Sequence, residues 1–498
     1  MSHESHELNR LALTVLQPGF EGLTPPDWLR RHLGDGLGAV GLFGRNIHAP
    51  EQLAGLTAAL RKEKEDVLVA IDEEGGDVTR LEVGTGSSWP GNLALGTVDD
   101  PALTRAVAGG LGRDLARCGV NFNWAPDADV NSNPDNPVIG VRSFGADPDL
   151  VARHTRAYVE GLQATGVAAC VKHFPGHGDT AVDSHLGLPR VDASRELLAT
   201  RELVPFRAAI EAGAKAVMSA HIVLPAYDDE HPATLSRTIL TGLLREELGY
   251  DGLIVTDGIE MGAIADTYGI ADGTVRALAA GADAVCVGGG LCDEATVVLL
   301  RDAIVDAVRT GRLPEERLAD AARRVGELAA WARSVAEYGG SGGDHAAGLD
   351  AARRAVRVTG DLHPFTRPAH VLELASQANI AVGDRTPWGV GAYLARLLPG
   401  TTVARASVTT FGLVDTQLAA AAGRPLAVVV RDLHRNVRAA DLLAGILAAR
   451  PDAVVVEMGL PYGDTQGVTR VATHGAARVC GIAAAEALTG RTLEPLYT

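Results

Sequence analysis

The segment KHFPGHGDTAVDSH, residues 172–185, gathers three histidines, a lysine, two aspartates and two glycines into one short stretch. Imidazole and carboxylate crowded in this way serve a metal ion, a proton transfer, or nothing beyond a solvated loop. A metal site would draw on His177, Asp179 and His185, all ordinary ligand types. Zinc-binding histidines, however, usually sit on regular elements at tight spacing, whereas glycine flanks His177 on both sides. A proton-transfer reading takes Asp183 and His185. Residues two apart point the same way in extended chain, so the aspartate can hold one ring nitrogen and fix the tautomer that uses the other. An imidazole with an ordinary pKa of ~6.5 works as both acid and base near neutrality. The segment alone leaves all three readings open.

Such side chains need elements to position them. From about residue 10 to residue 335, short β-type runs alternate with longer Ala/Leu/Arg stretches of helical spacing. The runs are residues 11–17, 38–43, 66–72, 120–126, 167–173, 214–221, 251–257 and 282–289. Helices are predicted between them, among them 50–64, 101–119, 149–166 and 194–213. Eight strands with helical crossovers predict an α/β fold whose N-terminal part is a (β/α)8 TIM-like barrel. On that reading the polar residues are not scattered, because Asp72, Lys172, His173, His221 and Asp257 all fall at strand ends. Barrel enzymes build their sites at the C-terminal ends of the strands. Asp257, directly after the apolar Leu253–Ile254–Val255 run and Thr256, is suited to be a nucleophile, a metal ligand or a base, and equally an N-cap for the helix that follows.

Composition excludes several partners. With 45 Lys+Arg against 62 Asp+Glu the chain carries a net charge of −17, which repels polyphosphate, so no nucleic-acid partner is expected. No apolar run approaches the ~18 residues of a membrane span, and the N-terminal segment lacks a signal-peptide pattern. Five cysteines without a CxxC pair suit a reducing compartment. The expectation is a cytoplasmic protein with no membrane partner.

The sequence suggests three parts: a catalytic barrel over 1–338, a linker with a helical segment over 339–367 that begins at the glycine-rich 339–343, and a smaller α/β sandwich domain over 368–498. In the last part the runs 370–375, 425–431 and 452–459 read as strands.

KHFPGHGDTAVDSHLGLP (172–189) strongly resembles the signature of glycoside hydrolase family 3, β-N-acetylglucosaminidase branch. Further matches follow in order: GLFGRNI (41–47), DEEGGDVTRL (72–81), NFNWAPDADVNSNPDNPVIGVRSFG (121–145), MSAHIVLPA (218–226) and TDGIEMGAI (256–264). The C-terminal VVVEMGLP (454–461) resembles, less specifically, the sandwich domain of two-domain members. The resemblance implies an exo-acting retaining enzyme that removes terminal β-linked N-acetylglucosamine, with Asp257 as nucleophile and His185, oriented by Asp183, as acid/base. It implies that Asp72, Arg142, Lys172 and His173 hold the sugar hydroxyls, and that neither a metal nor another cofactor takes part. The substrate would be a small carbohydrate from cell-wall or chitin turnover.

Imidazole in place of the usual carboxylate becomes neutral on losing its proton, so it would not repel an anionic acceptor such as phosphate or a muramyl fragment. A phosphorylase making a sugar 1-phosphate is therefore the alternative within the family. A metal-dependent barrel lyase or isomerase using His177, Asp179 and His185 is the alternative outside it. The chain departs from the family where Glu73 replaces the common glutamine, giving an acidic pair with Glu74, for which a structural role ahead of Gly75 and Gly76 is expected. Other branches take their acid from a glutamate of the second domain; Glu457 is the candidate of that kind and is expected to be a packing residue.

Overall fold

The structure is a computed structural model that describes residues 3–185, 187–335, 342–375, 381–383, 385–410, 412–463 and 468–493. It divides into two compact units: Met1–Glu73, Thr104–Pro137 and Ala146–Gly343 form the first, and Glu74–Leu103, Val138–Gly145 and Asp344–Thr498 the second. Most of the glycine-rich 339–343 lies outside the described residues.

Among the described residues the first unit contains eight short strands: β1 (Leu16–Pro18), β2 (Ala39–Leu42), β3 (Leu68–Ile71), β4 (Phe122–Asn123), β5 (Ala168–Phe174), β6 (Ala216–Ser219), β7 (Leu253–Thr256) and β8 (Val285–Val287). Strands β2 to β7 form one sheet in sequence order, every neighbouring pair parallel. β8 pairs in parallel with β1, and the Val255–Ala284 bridge, with the Thr256 N–H donating to Ala284 O and the Ile259 N–H to Cys286 O, both at 3.0 Å, ties that pair to the sheet. Alternate residues along the strands, namely Leu68 and Ala70, Phe122 and Trp124, Ala168 and Cys170, Ala216 and Met218, Leu253 and Val255, Ala284 and Cys286, pack into one buried cluster. A period of two puts these side chains on the inner face of the curled sheet. Val325, Leu328, Ala329 and Ala332 of the helix Glu315–Val335 join the same cluster.

Two expectations need correction. The apolar run 11–17 is not a strand along its length: a helix occupies His3–Thr14 and only Leu16–Pro18 is extended. The run begins earlier than it looks, because Leu8, Leu11, Ala12 and Val15, all buried, follow helical spacing. The single helix expected over 194–213 is two, Arg195–Thr200 and Leu203–Glu211. Pro205 supplies no N–H and is accommodated in the first turn of a new helix, so the chain restarts there. The other three crossover helices span Pro50–Glu63, Pro101–Arg117 and Pro148–Gln163, each opened by proline.

Among the described residues the second unit contains β9 (Arg357–Thr359), β10 (His370–Ala375), β11 (Thr402–Ser407), β12 (Leu426–Val430), β13 (Val454–Glu457) and β14 (Arg470–Ala472) in the order β11-β10-β12-β13-β14-β9, with β9 antiparallel to β14 and the other neighbouring pairs parallel. Val371, Val429 and Val456 pack on one face with Cys480, Ile482 and Ala484 of the helix Arg478–Thr489. Leu372, Val428 and Val455 pack on the other face with Leu443 and Ile446 of the helix Val437–Ala449. Both faces are covered, which makes this unit the α/β sandwich. The sequence patterning missed β9, β11 and β14. β9 and β11 are exposed edge strands without apolar alternation, and β14 is only three residues long.

Candidate active site

The inner-face register of the first unit extends directly to its polar strand ends. Asp72 continues the Leu68–Ala70 alternation, Lys172 the Ala168–Cys170 alternation, and Asp257 the Leu253–Val255 alternation. Lys172, buried, pairs with the Asp72 carboxylate, which retains some exposure. Breaking a buried pair of this kind typically costs about 3–5 kcal/mol, so the two side chains fix one another. The register between β5 and β6 shifts between Val171 and Phe174, and an irregularity there re-aims the next side chain, His173.

His173 is held by a residue that the sequence reading passed over. Its Nδ1 lies 2.7 Å from Asp129 Oδ2 and its backbone N–H donates to Asp129 Oδ1 at 3.3 Å. The same Oδ1 accepts the His177 backbone N–H at 2.6 Å. Asp129 is fully buried; burial opposes its ionisation, but the charge and hydrogen bond of His173, and then His177, outweigh it and keep the pKa below the ordinary value. Asp127, Asp129 and His173 offer ligand-type atoms within 4.8 Å of one another. The His173–Asp129 hydrogen bond accounts for much of this crowding. A sign of Asp129 existed in the sequence, in the Asp127–Ala128–Asp129 repeat of acid just past a strand, but its partners lie 44 and 48 residues away.

Asp257 follows β7, partly exposed, with its backbone N–H donating to Ser219 O at 3.1 Å and its Oδ1 accepting from the Gly258 N–H at 2.8 Å. Burial opposes its charged form. The charges of His173, His221 and His185 and the Gly258 hydrogen bond overcome that penalty and bring its pKa down to about 2. The carboxylate is therefore ionised at any physiological pH. His221, fully buried at the end of β6, supports this corner: its Nε2 lies 2.9 Å from Gly258 O and its Nδ1 2.9 Å from Thr234 Oγ1. Burial lowers the His221 pKa, with Asp257 pulling the other way.

Asp183 and His185 do form a pair. Asp183 Oδ1 accepts from His185 Nδ1 at 2.7 Å and from the His185 backbone N–H at 2.9 Å. The local geometry differs from the expectation, since this is an aspartate-closed turn and not extended chain. Burial raises the Asp183 pKa, but the His185 hydrogen bonds outweigh it and the net shift is downward. The pair rests beside the Asp257 corner, because the Ala263 N–H donates to Ser184 O at 3.3 Å and a Cβ on Gly262 would lie 3.0 Å from His185 O.

The trio His177, Asp179 and His185 is not brought together as a ligand set. His177 is buried and bonded to Thr180 and Ser184, Asp179 pairs with Arg201 at 2.6 Å, and His185 faces Asp183. Arg142 belongs to the second unit, where it is buried and paired with Glu74 at 2.7 Å. That ion pair is the structural role of Glu74. Glu73 exchanges backbone hydrogen bonds with the Asn123 amide at 3.0 and 2.8 Å. Among the described residues no helix is long and apolar enough to cross a membrane.

Residues 27–328, well over half the chain, match the profile of the glycosyl hydrolase family 3 N-terminal domain. The chain belongs to glycosyl hydrolase family 3. It is 37% identical to a beta-hexosaminidase A of Pseudoalteromonas piscicida over 64% of this chain and 56% of that one. It is 38% identical to a beta-hexosaminidase of Alkalilimnicola ehrlichii over 60% of this chain and 88% of that one. A family 3 β-N-acetylglucosaminidase from Paenibacillus superposes with a TM-score of 0.89 at 34% identity, covering 98% of this chain and 97% of that one. The likeness is thus to glycoside hydrolases of the β-N-acetylhexosaminidase type, and it spans both units.

Proposed function

We propose that this family 3 protein is an exo-acting, retaining β-N-acetylglucosaminidase that acts on small carbohydrates from cell-wall or chitin turnover. The observation that carries the reading is an ionised carboxylate, Asp257, at a barrel strand end, with an aspartate-oriented imidazole, His185, on a loop that docks beside it.

Asp257 attacks the anomeric carbon as the bond to the leaving oxygen breaks, and that oxygen takes a proton from His185 Nε2. Water then gives a proton to the same nitrogen while its oxygen displaces Asp257, so configuration is retained after two inversions. Because Asp183 binds Nδ1, proton transfer falls to Nε2. Asp72, Lys172 and His173, locked by their own pairing and by Asp129, hold the sugar hydroxyls. Arg142 carries a sugar-contact role through its motif match alone.

The test is product identity. With an aryl N-acetylglucosaminide, free β-N-acetylglucosamine should form first, with or without phosphate, as followed by NMR. Sugar 1-phosphate appearing only with phosphate would assign the phosphorylase reaction, and a first-formed α anomer would overturn the retaining mechanism.

A further inference from the structure

Outside the reacting groups, the loop that carries the dyad has one buried side chain bonded to it at the decisive place. Residues Ala181 and Val182 are exposed, whereas Ser184, between Asp183 and His185, is buried. Ser184 is pinned on two sides, by the Ala263 N–H on its carbonyl and by His177 Nε2 on its hydroxyl at 3.2 Å.

Hydrogen bonds hold both ring nitrogens of His177. Asn136 Nδ2 donates to Thr180 Oγ1 at 3.2 Å, and Thr180 Oγ1 lies 2.9 Å from His177 Nδ1. Thr180 Oγ1 also lies 3.1 Å from the His177 carbonyl oxygen, so hydroxyls hold both ends of the ring, Thr180 at Nδ1 and Ser184 at Nε2. Burial, opposed by the Asp129 charge, pushes the His177 pKa down to about 4, so the ring is neutral. The His177 backbone N–H is bound to Asp129, the residue that also orients His173.

We infer that His177 is a positioning residue: it binds the Ser184 hydroxyl through Nε2 and thereby fixes the Asp183–His185 turn against the nucleophile corner, in register with the sugar-gripping His173 through their common anchor Asp129. The inference rests on the reading of His185 as acid/base. It gives the middle histidine of KHFPGHGDTAVDSH neither a ligand's nor a proton carrier's part.

Two substitutions separate this from a general packing role. His177→Gln can place its terminal amide, donor and acceptor alike, where Nε2 was, whereas His177→Asn reproduces only the Nδ1 partner of Thr180. kcat/KM, which reports formation of the glycosyl-enzyme, is measured on a nitrophenyl N-acetylglucosaminide and on N,N′-diacetylchitobiose, with His185→Ala as the benchmark. Acid catalysis is worth about 10²- to 10⁴-fold, and only the second substrate needs it. His177→Asn should therefore lose roughly 10- to 100-fold on the disaccharide and only a few-fold on the aryl glycoside, in the pattern of His185→Ala. His177→Gln should recover most of the loss. Ser184→Ala, which leaves the buried ring in place, should show the same leaving-group dependence, and it decides the matter if the His177 variants do not fold. Equal losses on both substrates, or a glutamine variant no better than asparagine, would overturn the inference. The underlying reading fails differently: wild type would then turn over neither substrate, or His185→Ala would show no leaving-group dependence.

Discussion

Two carboxylates end strands in the two units and have opposite fates. Asp257 follows β7 in the first unit, and Glu457 closes β13 in the second. In sequence they look alike, an apolar run, an acid and then glycine within two residues. Glu457 is fully buried and accepts the backbone N–H groups of Asp432 and Gly459 at 2.9 and 2.7 Å and of Leu433 at 3.3 Å. Burial, reinforced by the Asp432 charge, raises its pKa to about 7. Asp257 has one backbone hydrogen bond to its side chain and three histidines near it, which take its pKa to about 2. A carboxylate whose oxygens are committed to its own chain is architecture, whereas one held ionised beside imidazoles is equipped to attack carbon.

This contrast can be broken most sharply by mutation. Asp257→Ala should lower kcat/KM on an aryl glycoside by about three orders of magnitude or more, while Glu457→Gln changes it less than about threefold. A large loss in the glutamine variant would return Glu457 to the candidates for acid. Lys172→Met should come next. Removing the charge that faces Asp72 is expected to reduce kcat/KM by roughly 100-fold, mainly through KM, and to lower stability in urea by about 3 kcal/mol. A variant with unchanged KM would remove Lys172 from the sugar-gripping set.

The smallest effect concerns stability and sharpens the Glu457 side. Its folded pKa of about 7 exceeds the unfolded value of about 4.3, so its favourable contribution is complete below the unfolded pKa and is lost as pH rises through 7, a cost of about 3 kcal/mol above that point. Glu457→Gln lacks this titration. The melting temperature of the variant relative to wild type should therefore rise between pH 4.5 and 8, and a flat difference would mean that Glu457 ionises normally.

The same pair of carboxylates marks what a sequence can reveal. Asp257 was legible because it belongs to a set of polar strand ends, and the strands were legible from their apolar runs. Asp183 and His185 were legible because their pairing is local, although the turn that joins them is not the extended geometry expected. Asp129 was not, because its role exists only when β4 and β5 lie side by side. The Arg142–Glu74 pair, 68 residues apart, escaped for the same reason. β1 was misread because a buried helix and a buried strand can share one continuous apolar run.

The proposed retaining reaction requires a covalent bond between the sugar and Asp257. The direct measurement is to trap the intermediate with a 5-fluoro-N-acetylglucosaminyl fluoride, digest the protein and map the sugar by mass spectrometry. A single adduct on the peptide carrying Asp257, absent from Asp257→Ala, is the predicted result. An active enzyme that yields no adduct, or one modified at any other carboxylate, would contradict it.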